Sequence, residues 1–381
     1  MTLDFKTAGE SHGPAVTALV EGLPAGLKIN SDDINRDLAR RQFGYGRGGR
    51  MKIEKDRVDI LSGVRDGKSI GSPIALLIKN KDHRTHKEEI LTKPRPGHAD
   101  LAGAMKFGFS DMRDVLERAS ARETAARCAA GALAKIFLRE FSIEIVSFVL
   151  EIGGVRGSVD SLSPWTAMAL AEDSPVRCPD KQATVKMVEA IEEASLNGDT
   201  LGGSFEIRAL NVPPGLGSYT SWDKKLDGRM AQILMSINGI KGVEVGFGFR
   251  CASLPGSSIH DPIKSFDTPP ERGPRYHRST NRAGGFEGGV TNGEELVLRV
   301  AMKPIATLRK PLPSVDLSTG KAIEAQYERS DICAVPAASI VGETAVAFVL
   351  AQAVLEKFGG DNISDTFDAY EAYLQRLAKE F

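Results

Sequence analysis

RASARETAARCAAGALAKIFLR, residues 118–139, is the stretch from which the architecture of this chain reads outward. Ala125, Cys128, Ala129, Ala132, Leu133, Ile136 and Phe137 recur at i, i+3, i+4 and i+7. That spacing lays one apolar stripe along a helix and predicts a helix over 121–139. Its start is legible too, since Ser120 and Glu123 form the S-x-x-E pattern of a capping box. Free backbone amides and the positive dipole end face whatever lies in front, and Arg118 and Arg122 bracket that end. A phosphate or an anionic flavin would be stabilised there. The bland alternative is an ordinary solvated helix start.

On both sides of this helix, strand and helix patterns mix. Alternation and β-branched residues predict strands at 15–21, 74–79, 143–152, 204–210 and 295–301. Further helices are expected at 31–42, 181–195, 224–237, 344–358 and 364–379, with Leu196-Asn197-Gly198 and Phe358-Gly359-Gly360 as stop signals. Strict strand–helix alternation, the mark of a parallel α/β sheet, is absent. The expectation is an α+β fold, one integrated domain over residues 1–381. The most apolar segment, 337–355, is interrupted by Glu343 and Gln352 and reads as a buried core helix rather than a membrane span.

With 41% apolar and 26% charged residues, the chain has the composition of a globular protein with a real core. Its formal net charge of −1 gives no global field for nucleic acid or an anionic membrane, so any affinity for anions is local. Between Asn35 and Arg57 there are eight Lys or Arg against three Asp or Glu, which locates one such place. Cys128, Cys178, Cys251 and Cys333 lack pairing or zinc-type spacing and read as reduced thiols. Charged residues by Asp4 and Lys6 argue against a signal peptide. A soluble, cytoplasmic protein is expected, with no nucleic-acid or membrane partner and no metal.

Five segments combine histidine, arginine and glycine: Gly9-Glu10-Ser11-His12-Gly13, the arginine–glycine run from Arg40 to Arg47, Arg95-Pro96-Gly97-His98-Ala99-Asp100, the 118–125 stretch, and Arg329-Ser330-Asp331. His12 and His98 each sit in a glycine turn that lets backbone approach a ligand. Imidazoles, with an ordinary pKa near ~6.5, shuttle protons at neutral pH; a turn histidine bonded to its own loop is the alternative. Arg41 and Arg47 suit bidentate clamping of carboxylate or phosphate. Gly44-Tyr45-Gly46-Arg47-Gly48-Gly49 matches G-x-G-x-x-G only formally, because a helix pattern precedes it where a dinucleotide site needs a strand. His83 and His86 read as solvated surface. The glycine-dense 281–289 loop leads to a strand ending at Lys303-Pro304-Ile305-Ala306-Thr307, either a phosphate-contacting edge or a plain turn. Arg329 beside Asp331 is a binding pair or a surface ion pair.

Seven motifs over residues 3 to about 360 together resemble the chorismate synthase family: GESHG, RRQFGYGRGGRM, RPGHADLAG, RASARETAAR, STNRAGGFEGGVTNG, KPIAT and RSDICAVPAA. The resemblance implies a lyase. It would convert 5-enolpyruvylshikimate-3-phosphate to chorismate and phosphate by 1,4-anti elimination, the last step of the shikimate pathway. Reduced FMN (FMNH2) would be required without net redox change. It further implies that His12 protonates the departing phosphate, that His98 stabilises the reduced flavin by proton exchange, and that Asp331 assists the flavin nitrogen in removing the ring proton. Arg41, Arg47, Arg95, Arg122 and Arg329 would hold the substrate's anionic groups. Arg41 and Arg47 are also treated as NADP contacts in this family, and are read here as substrate clamps. FMN contacts would come from Arg118, Ala119, Ser120, Asn238, Gly239, Gly288, Lys303, Pro304, Ile305, Ala306, Thr307 and Arg329. A homotetramer built on a β-α-β sandwich core, without its own flavin reductase, completes the expectation. Two departures stand out: Phe247 where the family has an acidic residue in G-D-G-F, and a tryptophan-free 82–86 loop. A flavin oxidoreductase acting on another phosphorylated acid and an RNA-binding arginine–glycine module are the rivals. Only the former retains a use for both motif histidines.

Overall fold

Two antiparallel sheets flank a layer of helices in the computed structural model, which describes residues 2–49, 53–83, 90–159, 161–268, 270–325, 327 and 330–381. The strands of the first sheet are Asp4–Ala8 (β1), Ala15–Glu21 (β2), Val58–Ile60 (β3) and Ile74–Lys79 (β4), in the order β1-β2-β4-β3. Those of the second are Glu144–Ile152 (β5), Val155–Arg156 (β6), Gly203–Leu210 (β7), Ile240–Val245 (β8) and Leu296–Met302 (β9), in the order β8-β9-β7-β5-β6. The helices are Ser31–Gln42 (α1), Asp100–Phe107 (α2), Arg113–Ala119 (α3), Thr124–Arg139 (α4), Pro164–Asp173 (α5), Lys181–Leu196 (α6), Leu226–Met235 (α7), Val335–Phe358 (α8) and Ile363–Glu380 (α9). The mixed α+β sandwich expected from the sequence is the one observed.

The two sheets differ because their outer faces differ. In the first, Val16, Ala18 and Val20 of β2 and Ile74, Leu76 and Ile78 of β4 are buried while their alternate neighbours are not, the period-2 pattern of a sheet covered on one side. In β5 almost every residue is buried. Ile145 and Val149 join the main core, whereas Phe148 and Leu150 pack outward against Ala167 and Ala171 of α5. A strand covered on both faces reads as a continuous apolar run.

Between the sheets α4 packs on α8, with α1 against both. Gly131 makes the α4–α8 crossing possible. A Cβ built there would lie 2.2 Å from the carbonyl oxygen of Thr344, so any side chain would force the helices apart. Helix α8 is buried from Val335 to Leu355 except at Gln352, which makes it the core helix its sequence suggested. It runs from Val335 to Phe358, taking in both the 337–355 apolar segment and the 344–358 helix expected from the sequence. Pro336 lies in the first turn, where it forfeits only an N–H that has no intrahelical partner. One contiguous apolar cluster runs from Leu3 through both sheets to Leu377 in α9.

The chain around Ser120 departs from expectation. Residues 113–119 already form α3, so Arg118 and Ala119 end one helix rather than precede the first. A 3₁₀ turn, Ala121–Glu123, then leads into α4. The reciprocal bonds of the capping box are not the ones formed: Ser120 Oγ accepts from Arg122 N (3.3 Å), two residues on rather than three, while the Glu123 carboxylate accepts from Thr7 Oγ1 (2.6 Å) and Arg127 Nε. The glycine run 44–49 follows α1 and not a strand, in agreement with the rejection of a dinucleotide fingerprint.

Candidate active site

The turn joining β1 to β2 carries Gly9-Glu10-Ser11-His12-Gly13 past the end of β4. Gly9 has φ +107°, and a Cβ there would lie 2.4 Å from the Ala15 carbonyl, so the turn needs glycine. Asn80, just after β4, donates through Nδ2 to the carbonyls of Glu10, Ser11 and Gly13 at 2.7–3.3 Å. Ser120 Oγ donates to Ser11 Oγ at 3.0 Å. His12 itself meets Glu117 of α3: its backbone N–H donates to Oε2 (2.6 Å) and its Nδ1 bonds Oε1 (2.7 Å). Burial favours a neutral Glu117. Hydrogen bonds from the His12 ring and backbone, with the charges of His12 and Arg113, outweigh it and hold the carboxyl below its ordinary range.

The side-chain oxygen of Asn80, Oδ1, accepts from Arg122 Nε at 2.7 Å. Arg122 Nη1 also reaches Asp56 Oδ1 (2.6 Å), and Arg41 Nη1 reaches Asp56 Oδ2 (3.3 Å). Arg41 further donates to Thr124 Oγ1 and the Ala121 carbonyl, both at 3.0 Å. Asp56 is thus a buried carboxylate shared by two buried guanidiniums. Burial, with the like charges of Arg47 and Arg122, pulls Arg41 down to about 10 despite Asp56, leaving it charged at neutral pH. Arg47 pairs with Asp331 through Nη1 (3.0 Å), and Asp331 Oδ1 accepts from Gly48 N (2.6 Å). The Nε of Arg47 is buried and has no hydrogen-bond partner among the described residues. Among the described residues this corner has three guanidiniums, Arg41, Arg47 and Arg122, against two carboxylates, Asp56 and Asp331.

His98 has a matching arrangement. Its Nδ1 bonds Asp100 Oδ1 at 2.5 Å, and Arg95 grips the same carboxylate through Nε (2.8 Å) and Nη2 (2.9 Å). Burial would raise Asp100, but the hydrogen bonds and charges of His98 and Arg95 win and hold it far below the usual carboxylate range. Arg95 Nη1 donates to Thr307 Oγ1 (3.1 Å), Ser330 Oγ donates to the Thr307 carbonyl (3.1 Å), and Lys303 Nζ donates to the Gly97 carbonyl (2.7 Å). Lys303 is lowered by partial burial and by the charge of Lys241. Its backbone N–H donates to the Gly239 carbonyl, and Asn238 Nδ2 donates to the Ala119 carbonyl, both at 2.9 Å.

These contacts leave the His12 turn in two lines. One runs from His12 through Glu117 and the end of α3 at Ala119 to Asn238, Gly239, Lys303 and the His98 turn, then through Arg95, Thr307 and Ser330 to Asp331 and Arg47. The other runs through Asn80 and Arg122 to Asp56 and Arg41, whose charge is repelled by that of Arg47. Ile305 and Ala306 belong to the same strand end; the Ile305 carbonyl accepts from Thr200 Oγ1 at 2.7 Å. Pro304 backs onto Gly202 there. Arg118 stands exposed at its edge and donates to the Thr7 carbonyl and hydroxyl and to the Gly9 carbonyl. Gly288 is not brought in. The neighbouring Gly289 carbonyl accepts from Leu226 N at the start of the ten-residue α7, whereas Asn238 follows its end, about 15 Å away along the helix. Arg329 and His86 lie outside the described residues.

Glu117, Asp100, Asp56 and Asn80 escape motif reading. A carboxylate two residues after an imidazole in a Pro-Gly turn is a usable signal for Asp100, and Glu117 directly precedes the arginine of the helix-start motif. Asp56 and Asn80 carry no such signal, since their partners come from distant segments.

Comparison with known proteins agrees with this frame. The family model described as Chorismate synthase matches residues 3–355. A chorismate synthase of Moorella thermoacetica is 55% identical, over 98% of this chain and 100% of its own length. One of Desulforudis audaxviator is 53% identical, over 98% of both chains. A solved structure described as "Crystal Structure of Chorismate Synthase" superposes with a TM-score of 0.83 at 43% identity, over 100% of this chain and 99% of that one.

Proposed function

Because this chain belongs to the chorismate synthase family, we propose that it converts 5-enolpyruvylshikimate-3-phosphate to chorismate and phosphate by 1,4-anti elimination. The enzyme is a carbon–oxygen lyase in this reading, cytoplasmic and homotetrameric. The observation that carries it is the cation excess around Arg41, Arg47 and Arg122, with a buried guanidinium nitrogen that has no partner among the described residues, joined by hydrogen bonds and ion pairs to two carboxylate-held imidazoles. A substrate bearing two carboxylates and a phosphate supplies the missing charge and acceptors.

Arg47 is the clamp with a donor to spare. Arg41 and Arg122, tied to Asp56, supply fixed positive potential more than new bonds. Arg95 acts on His98 and Asp100, so its part is to hold the imidazole. Arg329 joins the same anion-binding set. His12 gives a proton to the leaving phosphate oxygen as the C–O bond breaks, a contribution worth roughly 10²–10⁴-fold. Asp331, the carboxylate beside the clamp, is assigned to the ring-proton side of the elimination, and His98 to proton exchange on the Lys303 side.

Lys303 with nearby Lys241, the exposed Arg118 guanidinium and the Asn238–Gly239 turn form a cationic, hydrogen-bonding edge suited to a flavin phosphate and ring. Arg118, Ala119, Ser120, Asn238, Gly239 and 303–307 would hold reduced FMN, with Arg329; Gly288 lies apart from this set at the far end of α7. Bound reduced FMN supplies an electron-rich ring that eases C–O cleavage without being consumed. Anaerobic assays with oxidised or chemically reduced FMN test the reading. Chorismate and phosphate should form in equal amounts, only with reduced FMN. Stoichiometric flavin oxidation would mark an oxidoreductase instead.

A further inference from the structure

Glu117 holds His12 in a way that decides which ring nitrogen bears the mobile proton. The carboxylate stays ionised at neutral pH, as its depressed titration indicates, and an ionised carboxylate only accepts hydrogen bonds. The nitrogen facing it at 2.7 Å, Nδ1, therefore carries hydrogen. In the neutral ring Nε2 then holds the lone pair, and no described residue bonds that atom. Protonation puts the transferable proton on Nε2.

Fastening the loop does not require this carboxylate. Ser11 N already donates to the backbone carbonyl of Glu117 (2.9 Å), Asn80 ties three carbonyls of the same turn, and Ser120 holds Ser11. Those bonds survive removal of the Glu117 side chain. Its loss would remove one loop bond, that of the His12 backbone N–H, and the only described partner of the imidazole, at Nδ1. His98 receives the same service from Asp100, with Arg95 behind it.

We propose that Glu117 is the positioning residue for His12: it fixes the Nδ1–H tautomer and keeps Nε2 as the proton-donating atom. This rests on the lyase reading, in which His12 protonates the leaving phosphate. In that step the Nε2–H bond breaks, its electron pair stays on the ring, and the proton goes to phosphate oxygen as the C–O pair departs with it. Nδ1–H remains on Glu117 throughout.

The test uses the full-length protein with ¹⁵N-labelled histidine, comparing wild type, Glu117→Gln and Glu117→Ala, with circular dichroism to certify folding. In wild type at a pH where the ring is neutral, His12 should show a protonated Nδ1 and an unprotonated Nε2. Glu117→Ala should lose that preference, and kcat should fall about 10²-fold with KM little changed, the low end of what a positioned acid contributes. Glu117→Gln, which keeps a carbonyl acceptor, should fall between. Wild-type nitrogen signals or wild-type kcat in a folded Glu117→Ala variant would overturn the assignment. If wild type itself shows no lyase turnover, the activity reading has failed. The nitrogen spectra then still decide whether Glu117 sets the tautomer. Should Glu117→Ala not fold, Glu117→Gln carries the same comparison.

Discussion

Arg40 and Arg41 are neighbours in the last turn of α1, and their side chains end in opposite electrostatic settings. Arg40 meets Glu343 (2.6 Å), Asp37 (2.6 Å) and Glu172 (2.7 Å). Lys135 shares Glu343 and Asp37, and Arg177 shares Glu172. Three cations thus face three carboxylates between α1, α4 and α8. Burial opposes the charge on Arg40, but Glu343, Glu172 and Asp37 outweigh it and drive its pKa above the ordinary arginine value. Arg41 has half of one carboxylate, two guanidiniums nearby and a pKa pulled down to about 10. A buried charge must be matched. The first cluster is matched by its own residues, while in the second the described cations outnumber the carboxylates, as the proposed anion-binding role requires. Burial of an arginine therefore says little about function, while the balance of charge around it says a good deal.

The largest effects should come from unmatching the balanced cluster. Glu343→Gln leaves Arg40 and Lys135 without their shared partner in the core, a loss of about 3–5 kcal/mol of the kind seen when one side of a buried pair is removed. Urea unfolding would measure it, and added phosphate should restore none of it. Asp56→Asn should also destabilise strongly, because Arg41 and Arg122 lose their common carboxylate. There, phosphate should restore part of the loss by standing in for it. Equal indifference to phosphate in both variants would erase the distinction.

A smaller effect is expected at Arg47, and it should fall on binding. Removing a cation from a cation-rich corner relieves repulsion with Arg41 even as the Asp331 pair is lost. Arg47→Gln should therefore change stability by less than about 1 kcal/mol. Its KM for the phosphorylated substrate should rise about 10–10²-fold, the worth of a hydrogen bond to a charged group. A stability loss approaching that of Glu343→Gln would mean Arg47 belongs with Arg40 as a structural cation.

Sequence pattern reached the sandwich strands well because burial is written locally in alternation: 15–21 and 74–79 are β2 and β4. It failed where a local signal was overruled by distant partners. Glu123 fits a capping box but is drawn to Thr7 and Arg127. At the site, residues with distinctive chemistry were legible, such as His12, His98 and the arginines. The acceptors that give them roles were not, because Asp56 reaches Arg122 across 66 positions and Glu117 reaches His12 across 105. Hence Arg40 and Arg41 look alike in RRQFGYGRG, and only the fold separates them.

The faintest expected signal tests the distinction without any change to the chain. Inorganic phosphate at ten times its dissociation constant should stabilise the wild-type protein by about 1.4 kcal/mol, a rise of a few degrees at most in Tm for a chain of this size. Sodium chloride at the same ionic strength should not reproduce the shift, since screening acts on all exposed charges alike. The unpaired Nε of Arg47 is the donor that phosphate would satisfy, so Arg47→Gln should lose most of the rise. Glu343→Gln, however unstable, should keep it, because its defect lies in a different cluster. If instead phosphate acted equally on wild type and Arg47→Gln, the anion would be held elsewhere, and the cation excess around Arg41 would have to be balanced by the chain itself.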